Sequence, residues 1–264
     1  MKAKRISLVL ALMLLVACVF AGCGSSDDDA AKKEGKEVTV LAAASLTDAL
    51  DEIIKEYNKD CNDKILTSYA GSGDLVQQIK GGADCDLFIS ASKANMDDLE
   101  KGDLIDKDSR KDLLGNALTL IATEEAADKV TMDALTTDAV KQIAIGEPET
   151  VPAGKYASQV FDSLKIADKV ASKIVKAKDV RAVLNYVETG DADCGFVYMT
   201  DAKMLKEGKG KIVEEVDASL HDPIVYPAAI LKEAPQKEAA NNFYTFIQGD
   251  YAKGVFEKYG FTVK

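Results

Sequence analysis

The sequence predicts an α/β protein built from two similar lobes, each a mainly parallel sheet flanked by helices, with the second lobe inserted into the first. Short apolar strands alternate with amphipathic helices along the 264-residue chain, which is the pattern of parallel sheets covered by helices. The segments GGADCDLFIS (81–90) and GDADCGFVYM (190–199) also share Gly-x-Ala-Asp-Cys before an apolar strand. Such a repeat is expected for equivalent strands of two related lobes, with chance similarity as the alternative explanation.

Residues 1–22 are predicted to be a lipoprotein signal peptide. A positively charged start precedes an apolar run over 6–20, which is too short and too close to the N-terminus to favour a spanning helix. Cys23 is the favoured lipidated residue, because the small polar residues after it open a flexible tether over 23–36. Cys18 is the alternative, and an ordinary secreted protein is the remaining interpretation. Two or more acyl chains on the cysteine would anchor the protein stably to the cell membrane.

The charge of the chain limits its partners. It carries 33 Lys and Arg against 44 Asp and Glu, a net charge of −11 that becomes more negative once the basic leader is removed. Such an acidic protein is unsuited to nucleic acid or to an anionic membrane surface. It also repels anions at long range, so that any anion site must act through short-range contacts.

The first lobe is predicted to begin with a buried strand over 38–42, followed by a helix that starts in the capping-box pattern of Ser45 and Asp48. Apolar runs then indicate strands, and apolar residues three and four apart indicate helices. The further segments are 64–69 (strand), 75–79 (helix), 85–90 (strand), 94–102 (helix) and 116–123 (strand).

The second lobe repeats this alternation, and the chain then returns to the first lobe for its last strand and two helices. The predicted segments are 132–135 (helix), 142–146 (strand), 147–154 (loop), a helix with Tyr156 and Val160 on its apolar face, 179–190 (helix), 194–199, 211–216 and 224–231 (strands), and two helices around Phe243 and Val255.

Several predicted helix N-termini follow strand ends and carry small or hydroxyl residues: 44–45, 71–73, 152–154 and 179–180, with Tyr198 at the end of another strand. Ligands of open α/β sheets bind at the carboxyl ends of strands, where such N-termini meet. Their unpaired N–H groups and partial positive charge attract anions without a cationic side chain. Each position also has a simpler interpretation, as an N-cap serine, a turn that needs glycine, a loop with proline entering a helix, a core valine or a half-buried tyrosine.

An enzyme or a zinc centre is not predicted. His221 is the single histidine, it lies in an acidic stretch, and the chain has no Gly-x-Ser-x-Gly motif. Cys61, Cys85 and Cys194 form no Cys-x-x-Cys pair. Cys85 and Cys194 fit buried small side chains. A disulfide stays possible, since spacing alone does not decide it.

The motifs AAASLT, DLFISA, VPAGKYA and DVR, in this order, resemble the molybdate-binding proteins of ABC importers, and the resemblance extends over about residues 38–264. It implies a two-lobed periplasmic-binding-protein clamshell of type II that closes on a tetrahedral oxyanion. The expected lobes are 37–117 plus 223–264, and 118–222.

The resemblance also implies which residues hold the anion. The first lobe would contribute Ser45 and Ser72, through their hydroxyl and backbone N–H groups. The second lobe would contribute the backbone N–H groups of Ala153 and Val180 and the hydroxyl of Tyr198. The family often has Ser-Ser-Ser around Ser72 where this chain has Gly-Ser-Gly, so hydroxyl groups beside Ser72 are not expected to help.

The function implied is that of an extracytoplasmic solute-binding lipoprotein that captures molybdate, and also tungstate, and delivers it to an ABC permease in the membrane. We expect a monomer without cofactor, with molybdenum present only within the oxyanion. The alternative is a protein of the same fold for another oxyanion such as sulfate or phosphate. Arg181 is the one cation next to the implied ligands, and it is predicted to point outward, where it pairs with a carboxylate or contacts the other lobe.

Overall fold

Residues 35–264, the part of the chain that the computed structural model describes, alternate strands with helices as predicted. The predicted signal peptide and its two candidate lipidation sites, Cys18 and Cys23, lie outside these residues. The first elements are β1 (Glu37–Ala43), α1 (Thr47–Asp60), β2 (Lys64–Ala70), α2 (Ser72–Lys80), β3 (Leu87–Ile89), α3 (Lys93–Lys101) and β4 (Lys111–Gly115).

The middle elements are β5 (Leu118–Thr123), β6 (Ile143–Gly146), α4 (Pro152–Ser163), α5 (Ala167–Val170), β7 (Ile174–Ala177), α6 (Val180–Thr189), β8 (Cys194–Tyr198), α7 (Met199–Ala202) and β9 (Gly210–Glu215). The last are β10 (Val225–Ile230), α8 (Lys237–Phe246), α9 (Asp250–Tyr259) and β11 (Thr262–Val263). Short 3₁₀ turns connect some of these elements, among them Ala44–Leu46 between β1 and α1, and Asp133–Thr136 where a helix was predicted.

The strands form two sheets, one in each lobe of an α/β clamshell. The first has the order β11-β4-β10-β3-β1-β2 and the second the order β7-β6-β8-β5-β9. The two-lobed fold is therefore confirmed, but the sheets are mixed and not mainly parallel. A parallel neighbour needs a long crossover connection, usually a helix. β5 and β10 instead enter their sheets from the other sheet through segments without such a helix, and β10 runs antiparallel to β3 and β4, as β5 does to β8 and β9.

The chain passes between the two sheets twice. The first passage is residues 116–117, between β4 and β5, and the second is residues 216–224, between β9 and β10. Asn116 lies in the first passage.

The two near-repeats occupy equivalent positions. β3 lies between its parallel neighbour β1 and its antiparallel neighbour β10, and β8 lies in the same way between β6 and β5. Cys194 is the first residue of β8, and Cys85 lies two residues before β3. Both are buried, and burial raises the pKa of each thiol to about 12. Cys61, Cys85 and Cys194 are all free. None of the helices within residues 35–264 combines the length with the apolar composition of a membrane span.

Candidate functional site

The five residues implied as ligands line one small cavity between the two sheets. Ser45, Ser72, Ala153, Val180 and Tyr198 are each at most 3% exposed. The cavity holds about 200 Å³ of empty space. This space suits a compact ion and excludes bulky organic ligands. None of the described residues that line it carries a charge; the others are Ala43, Ala44, Ala70, Gly71, Ala91, Val151 and Pro152.

The first lobe presents two serines whose hydroxyls are already held by other groups. Ser72 opens α2 directly after the carboxyl end of β2, and its Oγ accepts a hydrogen bond of 3.0 Å from the N–H of Ala91. Ser45 lies in the 3₁₀ turn after β1, with its Oγ 2.8 Å from the hydroxyl oxygen of Tyr226. Since the Ser72 oxygen accepts from a backbone N–H, its own proton is available to the cavity.

The capping-box interpretation of Ser45 and Asp48 is wrong. The start of α1 has no side-chain cap, because the Ser45 hydroxyl bonds to Tyr226 and the Asp48 carboxylate pairs with Arg181. The pattern Ser-x-x-Asp has the spacing of a capping box, but here both side chains face tertiary partners instead of the helix end.

The second lobe presents two helix N-termini. Pro152 is the first residue of α4 and has no N–H, so Ala153 offers the first donor of that helix. Val180 is the first residue of α6, and the preceding Asp179 caps the helix by accepting from the N–H of Ala182 at 2.8 Å.

Four backbone N–H groups around the cavity have no acceptor among the residues that the structure describes. The N–H groups of Ser45, Ser72, Ala153 and Val180 find no hydrogen-bond partner within residues 35–264. N–H groups in the first turn of a helix cannot be satisfied within the helix. In a buried site such donors require an acceptor from elsewhere.

Tyr198 supplies a further donor without a partner. Its hydroxyl is buried and makes no bond in hydrogen-bond geometry among the described residues, although the neighbouring Tyr226 hydroxyl interacts with it. Burial raises the pKa of this phenol well above its usual value, and Tyr226 adds to the rise, so the group keeps its proton. A buried hydroxyl without a partner is unfavourable, and an acceptor in the cavity would remove that cost.

The two glycines beside Ser72 permit close contact between the lobes. A Cβ on Gly73 would lie 2.7 Å from Cα of Thr150, and one on Gly71 would lie 3.0 Å from the Thr150 carbonyl oxygen. The Gly73 N–H donates to that oxygen at 2.8 Å. Gly71 has the ordinary dihedral angles φ −57° and ψ 135°, so it is not required for an unusual turn.

Gly73→Ala is therefore expected to weaken closure around an anion, because its methyl group would push the Thr150 backbone away. Overpacking of this kind typically costs about 1–3 kcal/mol, or a roughly 5- to 150-fold loss of affinity. Calorimetric titration measures it. The matched control is Gly254→Ala, since a Cβ at Gly254 meets nothing within 4 Å. Equal affinities of the two variants would refute the role given to the contact.

Arg181 lies beside the cavity but does not line it. Its guanidinium pairs with Asp48 of α1 in a hydrogen bond, and its Nε lies 2.7 Å from Oδ1 of Asp201 on α7 without hydrogen-bond geometry. Asp201 is fully buried, and burial raises the pKa of its carboxyl to about 6 against the opposing effect of Arg181. Arg181 thus links α6 to α1 of the other lobe through Asp48, and its charge faces the carboxylates of Asp48 and Asp201.

Known proteins resemble this chain over almost its whole length. Residues 38–262 match the family model of bacterial extracellular solute-binding proteins. A putative ABC transporter substrate-binding lipoprotein of Bacillus subtilis, YvgL, is 43% identical over 99% of both chains. The molybdate-binding protein ModA of Haemophilus influenzae is 37% identical over 94% of this chain and 96% of its own.

A solved structure supports the same relationship. The substrate-binding domain of a putative molybdenum ABC transporter from Clostridium difficile is 43% identical, covers 86% of this chain and 99% of its own, and superposes with a TM-score of 0.66. The predicted resemblance to the binding proteins of molybdate importers is thereby confirmed at the level of the family. The chain belongs to the bacterial extracellular solute-binding proteins, the non-enzymatic substrate-binding components of ABC importers.

Proposed function

We propose that this protein binds molybdate, and tungstate equally, in the cavity between its lobes, and releases it to an ABC permease. The observation that supports this most strongly is the set of unpartnered donors around a cavity without a charged lining residue. The ligands would be Ser45, Ser72, Ala153, Val180 and Tyr198. The lobes that close on the ion would be 37–117 plus 223–264, and 118–222.

A tetrahedral dianion matches such a cavity. Molybdate carries two charges and four acceptor oxygens, and near neutral pH it has no proton to donate. Hydrogen bonds to a charged group contribute about 1.5–3 kcal/mol each, so about seven of them, from four N–H groups and three hydroxyls, would total roughly 10–21 kcal/mol before desolvation and closure are subtracted. Micromolar to nanomolar affinity requires about 8–12 kcal/mol. A salt bridge is therefore not needed.

The same donors should discriminate among oxyanions. Hydrogen phosphate would bring an O–H group to a lining of donors, leaving a buried donor without an acceptor, which strongly disfavours binding. Sulfate has no proton but is smaller, so its oxygens would not reach all the donors. Tungstate has nearly the size and shape of molybdate.

Calorimetric titration with the four anions tests this order. We expect molybdate and tungstate to bind with similar affinity, sulfate more weakly, and hydrogen phosphate weakest of the four. Sulfate bound as tightly as molybdate would contradict the fit of the cavity to the larger ion. Tight binding of phosphate would contradict the donor-only lining and favour the alternative of a different oxyanion.

The membrane location is a separate part of the proposal. Cys23 would carry the lipid, with Cys18 as the competing site, and the tether would hold the binding protein near its permease. Mass spectrometry of the mature N-terminus is expected to show a diacylated Cys23. An N-terminus with lipid at Cys18, or with no lipid, would overturn this assignment without affecting the binding site.

A further inference from the structure

Two side chains outside the cavity, the fully buried Tyr226 and the half-buried Asn116, are joined to Ser45 by hydrogen bonds. Tyr226, near the start of β10, has its hydroxyl 2.8 Å from Ser45 Oγ and 3.2 Å from Asn116 Nδ2. Asn116 lies in the first passage between the sheets and also donates to Thr200 Oγ1 at 3.0 Å. The three side chains thus form a chain from the passage between the lobes to the cavity.

The direction of this chain follows from the orientation of the Asn116 amide. Its Oδ1 accepts from the N–H of Ala117 at 2.9 Å, so the other end of the amide must be the NH₂ group. Its two protons then serve Tyr226 and Thr200. The Tyr226 oxygen is therefore an acceptor toward Asn116.

The acceptor for the Tyr226 proton is Ser45 Oγ. Within residues 35–264 it is the only other polar atom in hydrogen-bond geometry with this hydroxyl, since the Tyr198 hydroxyl interacts with Tyr226 but makes no hydrogen bond in that geometry. Tyr226 is completely buried, so a proton aimed elsewhere would be left unsatisfied. Burial also raises the pKa of Tyr226 well above its usual value, so the proton is present throughout the physiological range. Tyr226 accordingly donates to Ser45.

A serine hydroxyl that accepts in this way has its own proton free for the cavity. Ordinarily a hydroxyl rotates to donate or to accept as its partner requires. At Ser72 the backbone N–H of Ala91 donates to the hydroxyl oxygen and so fixes the direction of the hydrogen bond. A substitution of the Ala91 side chain would not remove this donor. At Ser45 the direction depends on two side chains that can be changed.

We propose that Asn116 and Tyr226 are positioning residues that hold Ser45 as a hydrogen-bond donor to the bound oxyanion, and that they thereby set the preference for proton-free anions over hydrogen phosphate. This inference rests on the proposed function. Neither residue lines the cavity, so their effect is exerted through Ser45.

Two substitutions change this series of hydrogen bonds in different ways. Tyr226→Phe keeps the aromatic packing against Tyr198 and Phe261 but frees the Ser45 hydroxyl to turn and accept a proton from hydrogen phosphate. Asn116→Asp keeps the acceptor for Ala117 but replaces the NH₂ group by an acceptor. Tyr226 would then donate to that carboxylate, and Ser45 would donate to Tyr226. The lone pairs of the Ser45 hydroxyl oxygen would then face the cavity.

The measured quantity is the ratio of the dissociation constants of hydrogen phosphate and molybdate, from displacement titrations at a mildly alkaline pH where both ions carry two charges. We expect the ratio to fall roughly tenfold in Tyr226→Phe and further in Asn116→Asp. The control is Tyr244→Phe, which removes a buried hydroxyl bonded to the carbonyls of Ser109 and Ala228 and should leave the ratio unchanged.

The outcomes separate the two hypotheses. Wild-type protein that does not bind molybdate contradicts the proposed function. Wild-type protein that binds it, with the same ratio in Tyr226→Phe as in the control, contradicts the positioning role alone. If Tyr226→Phe does not fold, Asn116→Asp decides in the same way: a lowered ratio supports the role and an unchanged ratio contradicts it.

Discussion

Val180→Pro is expected to weaken molybdate binding by roughly 10- to 150-fold relative to Val180→Ala, the energy of one hydrogen bond to a charged group. Proline removes the backbone N–H that we propose as a ligand, and its ring occupies the space into which that N–H points. The alanine variant keeps the N–H. Both variants lose the valine side chain, so the difference between them isolates the backbone donor.

The local structure should tolerate the proline. Val180 is the first residue of α6, a position that proline favours because its N–H has no partner within the helix. The residue before it, Asp179, is extended at φ −158° and ψ 172°, away from the α region that a following proline disfavours. Calorimetry gives the affinities, and circular dichroism checks the fold. Equal affinity of the folded proline and alanine variants would show that the Val180 N–H is not a ligand.

Tyr198→Phe is expected to change binding and stability in opposite directions. The affinity for molybdate should fall roughly 10- to 150-fold, because one donor to the dianion is lost. The ligand-free protein should become more stable, because a buried hydroxyl without a partner is removed. Thermal unfolding without ligand and calorimetry with molybdate measure the two effects.

The comparison variant is again Tyr244→Phe. The Tyr244 hydroxyl lies 2.9 Å from the carbonyl oxygen of Ser109 and 3.1 Å from that of Ala228. Its removal should lower stability and leave molybdate binding unchanged. If Tyr198→Phe lowers stability as this variant does and leaves the affinity for molybdate unchanged, the Tyr198 hydroxyl is not a donor to the anion.

Strand and helix alternation was sufficient to predict the α/β lobes, but β4, β7 and the two-residue β11 were missed. β7 (Ile174–Ala177) is an edge strand with one buried residue, and β4 opens with two exposed polar residues, so neither shows a continuous apolar run. The mixed sheets were also missed, since strand direction depends on tertiary connections that the apolar pattern does not contain.

The positions of the five implied ligands around one cavity follow from the resemblance, and periodicity alone would not have found them. Val180 and Ala153 contribute backbone groups, so their side chains carry no chemical signal. Tyr226 and Asn116 were not identified either, although both stand in segments that resemble the family. Their role depends on two hydrogen bonds, which join residues that lie 110 and 181 positions apart in the chain.

A crystal structure of the molybdate-loaded protein, with the metal located by its anomalous scattering, is the most direct test. We expect one molybdenum atom per chain in the cavity, its oxygens bonded to main-chain amides and hydroxyls, and Arg181 still paired with Asp48 and Asp201. A guanidinium or ammonium group bonded directly to the anion, or a molybdenum atom bound elsewhere while the cavity is empty, would contradict it.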